Sequence, residues 1–324
     1  MKFLIIGLGS MGKRRIRNLT ALGETDIVGF DLREDRRAET VEKHGIPTFA
    51  TVEEGLATGP DALVISTPPD AHMPYARLAV ERGLHFFTEA SVVDDDMQAL
   101  VDQLEGSGLV GAPSCTLRFL PVITRFKQLL DDQAIGKPGA FTYHCGEYLP
   151  DWHPWEEVSE FYVGKVETGA AREIVPFELV WLTWLFGPVR NITALKGKRT
   201  DLPIDIDDVY QVIMEFESGV LGHMMIDVVA RKYYREGRLV SEQGIIEWDC
   251  PGNLVRLYRA EDDSWQEFDE SCDVPESFYV EELGAFVKAA RGEGAYPYSY
   301  AEDLRILHWL YEAEANGGVI QDGS

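Results

Sequence analysis

Short apolar runs recur along the first third of the chain, and each is followed by a stretch with helical spacing. Residues 3–6 lead into a glycine-rich turn, after which Ile16, Leu19 and Leu22 fall on one helical face. Residues 27–30 form a second run ending at Asp31, and a polar helical stretch follows to His44–Gly45. Residues 62–66 form a third, closed by Thr67-Pro68-Pro69. Asp70 is placed to cap a helix through Arg82, with Gly83 as its stop. Residues 85–88 form a fourth run. Asp94–Asp96 then put acids on the first turn of another helix, and residues 109–112 make a short strand. Strands alternating with helices of this length predict a parallel, doubly wound α/β sheet.

The pattern changes near residue 116. One more helix is predicted over 121–130. Strand candidates then dominate: 141–148, 191–196, 209–216, 220–229, 237–240, 245–248 and 255–258. In 209–216 alternate residues divide cleanly between two faces, and Glu217-Ser218-Gly219 forms a turn into the next strand. Helices interrupt at 176–186 and near the end, at 301–315. The expected architecture is an α/β Rossmann domain over 1–116, then an α+β domain with an open antiparallel sheet over 117–324.

Composition narrows the partners. The 324 residues include 55 Asp+Glu against 30 Lys+Arg, a formal net charge of −25. Nucleic-acid binding depends on a basic footprint, and beyond Lys13–Arg15 there is little to supply one; anionic membrane surfaces are disfavoured for the same reason. No apolar run has the ~18 residues of a membrane span, and the start of the chain lacks a signal-like cleavage site, so a cytoplasmic protein is expected. Cys115, Cys145, Cys250 and Cys272 are widely spaced and show no metal-ligand pattern, so reduced thiols and no metal are expected.

The strongest chemical signal is Gly7-Leu8-Gly9-Ser10-Met11-Gly12, which follows a strand and opens a helix. Gly7 permits the tight turn, Gly9 leaves room for a pyrophosphate, and Gly12 lets the helix pack on the strand. Free amides at the helix start, at Ser10 and Met11, then face the phosphates. Asp31 lies 19 residues past Gly12, where its carboxylate can accept the adenosine ribose hydroxyls. A 2′-phosphate there meets like charge, so NAD(H) is expected over NADP(H); Arg33 and Arg36 close behind weaken that preference.

GLGSMGKRRIRNL, VISTPPDAHMPYARLAVERGLHFFTEASV and LRFLPVITRFKQLLDDQAIGKPGAF together resemble the Gfo/Idh/MocA family of NAD(P)-dependent oxidoreductases. The likeness continues through VPFELVWLTWLFGPV and SYAEDLRILHWLYEA. The resemblance implies that Ser66, Thr67, Pro68 and His72 flank the dinucleotide, that Glu89 ends the fifth strand beside the nicotinamide, and that Arg118 borders the cleft. It also implies a sugar, cyclitol or sugar-nucleotide substrate, and a homodimer or homotetramer formed through the second-domain sheet.

Two departures accompany the likeness. The family normally reads Glu-Lys-Pro after the fifth strand, with Lys as the proton-transfer residue; this chain reads Glu89-Ala90-Ser91. The family often has Ser-His-Glu in the second-domain helix, where this chain reads Pro176-Phe177-Glu178. Oxidation of a carbinol still needs a base, worth roughly 10²–10⁴-fold in rate. His153, Tyr162 and Lys165 are the candidates, the last if desolvation lowers its pKa, and Glu178 is an acid on an otherwise apolar helix. The competing readings are a backbone-bonded loop histidine and a solvated lysine. Arg172 can hold a substrate anion or pair with Glu173, and Trp152 can stack on a sugar face. The leading expectation is an NAD-dependent oxidoreductase. Its rivals are an NAD-binding sensor or scaffold without redox turnover, and a lyase or hydrolase that uses bound NAD transiently.

Overall fold

The computed structural model describes residues 1–152, 157–158, 162–272, 274 and 276–318. The chain divides into two compact units, one of residues 1–116 with 276–305 and the other of 117–275 with 306–324. The sequence division at 116/117 gave all later residues to the second domain. The structure returns 276–305 to the first unit, because Leu283, Phe286 and Val287 complete that unit's core.

The first unit is a Rossmann domain. Strands β1 (Phe3–Ile6), β2 (Ile27–Phe30), β3 (Thr48–Phe49), β4 (Ala62–Ile65), β5 (His85–Thr88) and β6 (Gly111–Pro113) form one sheet in the order β3-β2-β1-β4-β5-β6. Every pairing is parallel. Residues of β1 and β4 are buried throughout, as expected of strands covered on both faces. Helices α1 (Ser10–Ala21), α2 (Glu34–His44), α3 (Val52–Leu56), α4 (His72–Glu81) and α5 (Met97–Leu104) lie between the strands. Asp70 does not cap α4: Pro69–Ala71 forms a 3₁₀ turn first, and the helix begins at His72 with no side-chain cap. Asp94–Asp96 also precede α5 rather than form its first turn, and Asp95 and Asp96 take positive φ.

The second unit is built on an eight-stranded sheet. Its members are β7 (Pro138–Tyr148), β8 (Val189–Gly197), β9 (Val209–Phe216), β10 (Leu221–Asp227), β11 (Val229–Ser241), β12 (Gly244–Asp249), β13 (Leu254–Arg259) and β14 (Ser264–Asp269). Their order is β14-β13-β12-β11-β7-β10-β9-β8, and every pair is antiparallel except β7 with β10. Helices α6 (Pro121–Asp131) and α7 (Ala170–Phe186) cover one face, where Phe126 stacks on Trp248 at 4.7 Å and Trp181 meets Tyr143 edge-on at 5.4 Å. The opposite face exposes Leu195, Ile213 and Leu221. Helix α7 starts six residues before the expected Pro176. That proline lacks the amide for one internal hydrogen bond, and the helix runs through it, with Ala170, Ala171, Ile174 and Val175 buried ahead of it.

Helix α8 (Ser277–Ala290) and strand β14 are additions to the sequence reading. Apolar residues 280, 283, 286 and 287 carried a helical signal for the former; β14 is exposed nearly throughout and showed no burial pattern. The last helix, α9, spans Tyr300–Asn316.

Candidate functional site

In the first unit the glycine loop has the geometry that a diphosphate needs. Gly7 sits at φ +89°, and a Cβ there would approach the Ser66 carbonyl oxygen to 2.7 Å. A Cβ on Gly12 would overlap the Gly7 carbonyl oxygen. Gly9 is different: a Cβ there would meet only the Arg36 guanidinium, at 3.6 Å, so one side of the loop is open. Helix α1 begins at Ser10 with no side-chain cap and no acid in its first turn. Its leading amides, Ser10 and Met11 among them, are thus available to an anion, and the helix dipole favours one.

Asp31 is buried at the end of β2 and held by two amides. Leu8 N–H donates to Oδ2 at 2.7 Å and Arg33 N–H to Oδ1 at 2.8 Å. Each oxygen keeps a further lone pair for a ribose hydroxyl. Arg33 is tied to Asp35, and Arg37 donates to the carbonyls of Asp31 and Leu32. Arg36 lies 3.8 Å from Asp31 and beside Gly9.

The turn after β4 is held from below. Buried His72 contacts the Thr67 carbonyl through Nε2 at 2.9 Å, and burial lowers its pKa, which favours the neutral ring. It therefore positions the Thr67-Pro68 turn. Thr67 Oγ1 is buried with no hydrogen-bond partner among the described residues, while Pro68 is exposed. Ser66 donates to Glu89 at 2.9 Å.

Glu89 also takes a bidentate fork from Arg15, with Nε at 2.8 Å and Nη2 at 2.7 Å. Arg15 is fully buried and reaches Glu282 at 3.0 Å on its other side. Glu282 in turn accepts from Ser114, the Cys115 amide and Thr116. Burial pushes Glu282 up, whereas the Arg15 charge and fork hold Glu89 below its ordinary value. Glu89 is thus an ionised, fixed acceptor whose functional donors are already Arg15 and Ser66. Ala90 follows it and carries no titratable group.

In the second unit α7 carries two acids. Glu178 is fully buried and accepts from Tyr143 OH at 2.7 Å and Trp181 Nε1 at 2.5 Å. Arg235 pairs with its other oxygen at 2.9 Å. Glu173, five residues earlier, accepts from Tyr162 OH at 2.9 Å, and its Oε2 is buried without a hydrogen-bond partner among the described residues. Burial pushes the Glu173 carboxyl up to about 7, against the Tyr162 bond, which lowers it.

Other expected residues have different surroundings. Lys165 is exposed, which removes the burial that a lysine base needs. Arg172 pairs with Glu314 at 2.9 Å rather than with Glu173, and donates to the Glu167 carbonyl. Arg118 is buried and donates to the Val180 carbonyl at 3.0 Å. Trp152 is half-buried beside Glu147, whose pKa burial raises. His153 lies outside the described residues. Among the described residues no group of His, Cys, Asp and Glu is placed to hold a metal. None of their helices is long and apolar enough to cross a membrane.

Sequence reading missed Arg15, Glu282 and Glu173; Arg235 stood out in the basic, aromatic run 231–235, a candidate for an anionic substrate or a neighbouring subunit, but its pairing with Glu178 did not. Arg15 stood in the basic run Lys13–Arg15, where nothing local marks one cation for burial, and Glu282 lay in an unassigned helix. Glu173 was visible only as a partner for Arg172. A weak signal existed: Glu173 and Phe177 are four apart, on one helical face.

Comparison with known proteins agrees with this geometry. Residues 1–110 match the oxidoreductase family with an NAD-binding Rossmann fold, and residues 123–247 match the GFO/IDH/MocA C-terminal domain. Oxidoreductase P35 of Formosa agariphila is 26% identical over 233 residues, covering 67% of this chain and 69% of that protein. Inositol 2-dehydrogenase 4 of Saccharopolyspora erythraea is 26% identical over 234 residues, covering 67% of this chain and 64% of that protein. A levoglucosan dehydrogenase solved with NADH shares the fold, with a TM-score of 0.85, 18% identity and 97% of each chain covered. The chain belongs to the Gfo/Idh/MocA family of oxidoreductases, and its first unit is an NAD-binding Rossmann domain.

Proposed function

We propose that this Gfo/Idh/MocA chain is an NAD-dependent dehydrogenase of a sugar or cyclitol carbinol, with Glu173 standing in for the missing lysine as the proton station. The observation that carries the dehydrogenase reading is the open, uncapped glycine loop beside the amide-held Asp31. The inositol and levoglucosan dehydrogenases among its relatives support the substrate class.

When bound, NAD supplies the acceptor for a hydride. The protein's tasks are to hold the diphosphate on the α1 amides, the ribose on Asp31, and the hydroxyl proton on a base. As the substrate C–H and O–H bonds break and the carbonyl forms, Glu173 takes the proton. A group with a pKa of about 7 exchanges protons well in either direction at neutral pH. Tyr162 donates to one oxygen and leaves Oε2 for the substrate hydroxyl.

The test is steady-state oxidation of a panel of sugars and cyclitols by purified protein with NAD, followed by nicotinamide absorbance. Cofactor binding without turnover of any panel member overturns the reading. Asp31→Ala is expected to weaken NADH binding about tenfold or more and to narrow the preference over NADPH, measured by fluorescence titration.

Ala90 and Phe177 favour a second reading, an NAD-binding sensor without turnover. Ala90→Lys separates the two. A dehydrogenase is already active as wild type and changes little, whereas a sensor gains activity only in the variant.

A further inference from the structure

Strand β11 departs from its partner in one place. Val229 pairs with Tyr148 and Tyr234 with Gly146, so four residues of β11 stand opposite one of β7. This bulge is built and held. Asp227 Oδ1 accepts from the amides of Val229 and Ala230 at 3.0 and 2.7 Å, and Oδ2 meets His144 Nε2 at 2.7 Å. Tyr234 stacks on the His144 ring at 5.3 Å. Gly146 is required beneath it: a Cβ there would come within 2.7 Å of Asp227 Oδ2 and 2.9 Å of the Ala230 Cβ. Bulges of this kind re-aim side chains, and they gather near active sites.

The bulge carries Arg231 and Lys232 outward. Both are exposed, and neither has a carboxylate within ion-pair distance among the described residues. Arg231 lies over the Tyr148 ring, its Cζ 3.6 Å from the centroid, and the residue remains exposed. The next cation, Arg235, points inward to the Glu178 pair. In a chain of net charge −25, two adjacent unneutralised cations on a braced loop are a local reversal of field.

We propose that the Arg231/Lys232 bulge is a recognition site for an anionic group, carboxylate or phosphoryl, on the sugar substrate. This deepens, and rests on, the dehydrogenase reading above. Arg231 supplies a planar fork for two oxygens and Lys232 a point charge beside it. Asp227, His144 and Gly146 are positioning residues that set the bulge.

The experiment is calorimetric titration of the NADH-loaded protein with glucose, glucuronate and glucose 1-phosphate. At least one anionic sugar is expected to bind tenfold or more tighter than glucose, with an advantage that shrinks as salt rises. The two anionic arms distinguish carboxylate from phosphoryl. Arg231→Ala/Lys232→Ala is expected to erase that advantage and leave NADH affinity unchanged, and Asp227→Asn to reduce it partly. Equal affinity for all three sugars, no sugar binding, or an advantage that survives in the double variant overturns the proposal. So does a change of oligomeric state in that variant by sedimentation, which would make the patch a subunit contact. Turnover of neutral polyols separates the failures: if it persists, only the anion site is lost and the dehydrogenase stands.

Discussion

Glu173 and Glu178 lie five residues apart on one helix, and the fold treats them oppositely. Glu178 points into the sheet and receives a phenol, an indole and a guanidinium. Among the described residues Glu173 receives one phenol, and its Oε2 has neither a hydrogen bond nor a counter-charge, whereas Glu178 Oε1, also without a hydrogen bond, has the Arg235 ion pair. Burial is common to both, so the number and charge of the donors decides the role. A carboxylate with a buried counter-charge is a brace, whereas one with a single neutral donor is poised to exchange a proton.

Exchanging each acid for its amide should break this contrast most sharply. Glu173→Gln is expected to lower kcat by roughly 10²–10⁴-fold while the protein still folds and binds NADH, and to abolish the pH limb near 7. Glu178→Gln strands the buried Arg235 charge. It is expected to cost about 3–5 kcal/mol of stability, read by denaturant unfolding.

A smaller effect sharpens the assignment of the donor. The Tyr162 bond lowers the Glu173 pKa, so Tyr162→Phe should move the pH limb upward from about 7 and reduce activity at neutral pH. A limb that stays in place sinks the assignment to Glu173.

The smallest expected effect is on stability. The Glu173 carboxyl has a folded pKa of about 7 against an ordinary 4.5. Its charged form is therefore disfavoured in the fold. The acid costs nothing at low pH, destabilises increasingly as pH rises from 4.5 to about 7, and costs a constant amount above that. Glu173→Gln should accordingly raise stability at pH 8 by on the order of 1 kcal/mol and change it little at pH 4, by thermal unfolding.

Much of this was legible in the chain. The glycine loop, the strand before it, the helix after it and Asp31 occupy one short stretch. Backbone sterics, the short apolar runs and the helical spacing within that stretch are local, so residue type and spacing reveal them. Strand 209–216 was readable for the same reason. Helix α7 was readable only from Pro176 onward, because its first turns mix two alanines, two charged and two β-branched residues and Pro176 itself reads as a helix start.

Taken alone, the sequence determined the parallel α/β sheet, the glycine loop that opens α1 and the place of Asp31 at the end of β2, and it put Ala90 after Glu89. Tertiary structure decided which charges are partnered. Arg15 became a buried link between Glu89 and Glu282, partners 74 and 267 residues away, and Arg172 was taken by Glu314. Among the described residues Glu173 was left with Tyr162 as its side-chain donor. A side chain's protonation and freedom depend on what burial removes and which distant donors arrive. Those are properties of the packed chain, and no local pattern encodes them.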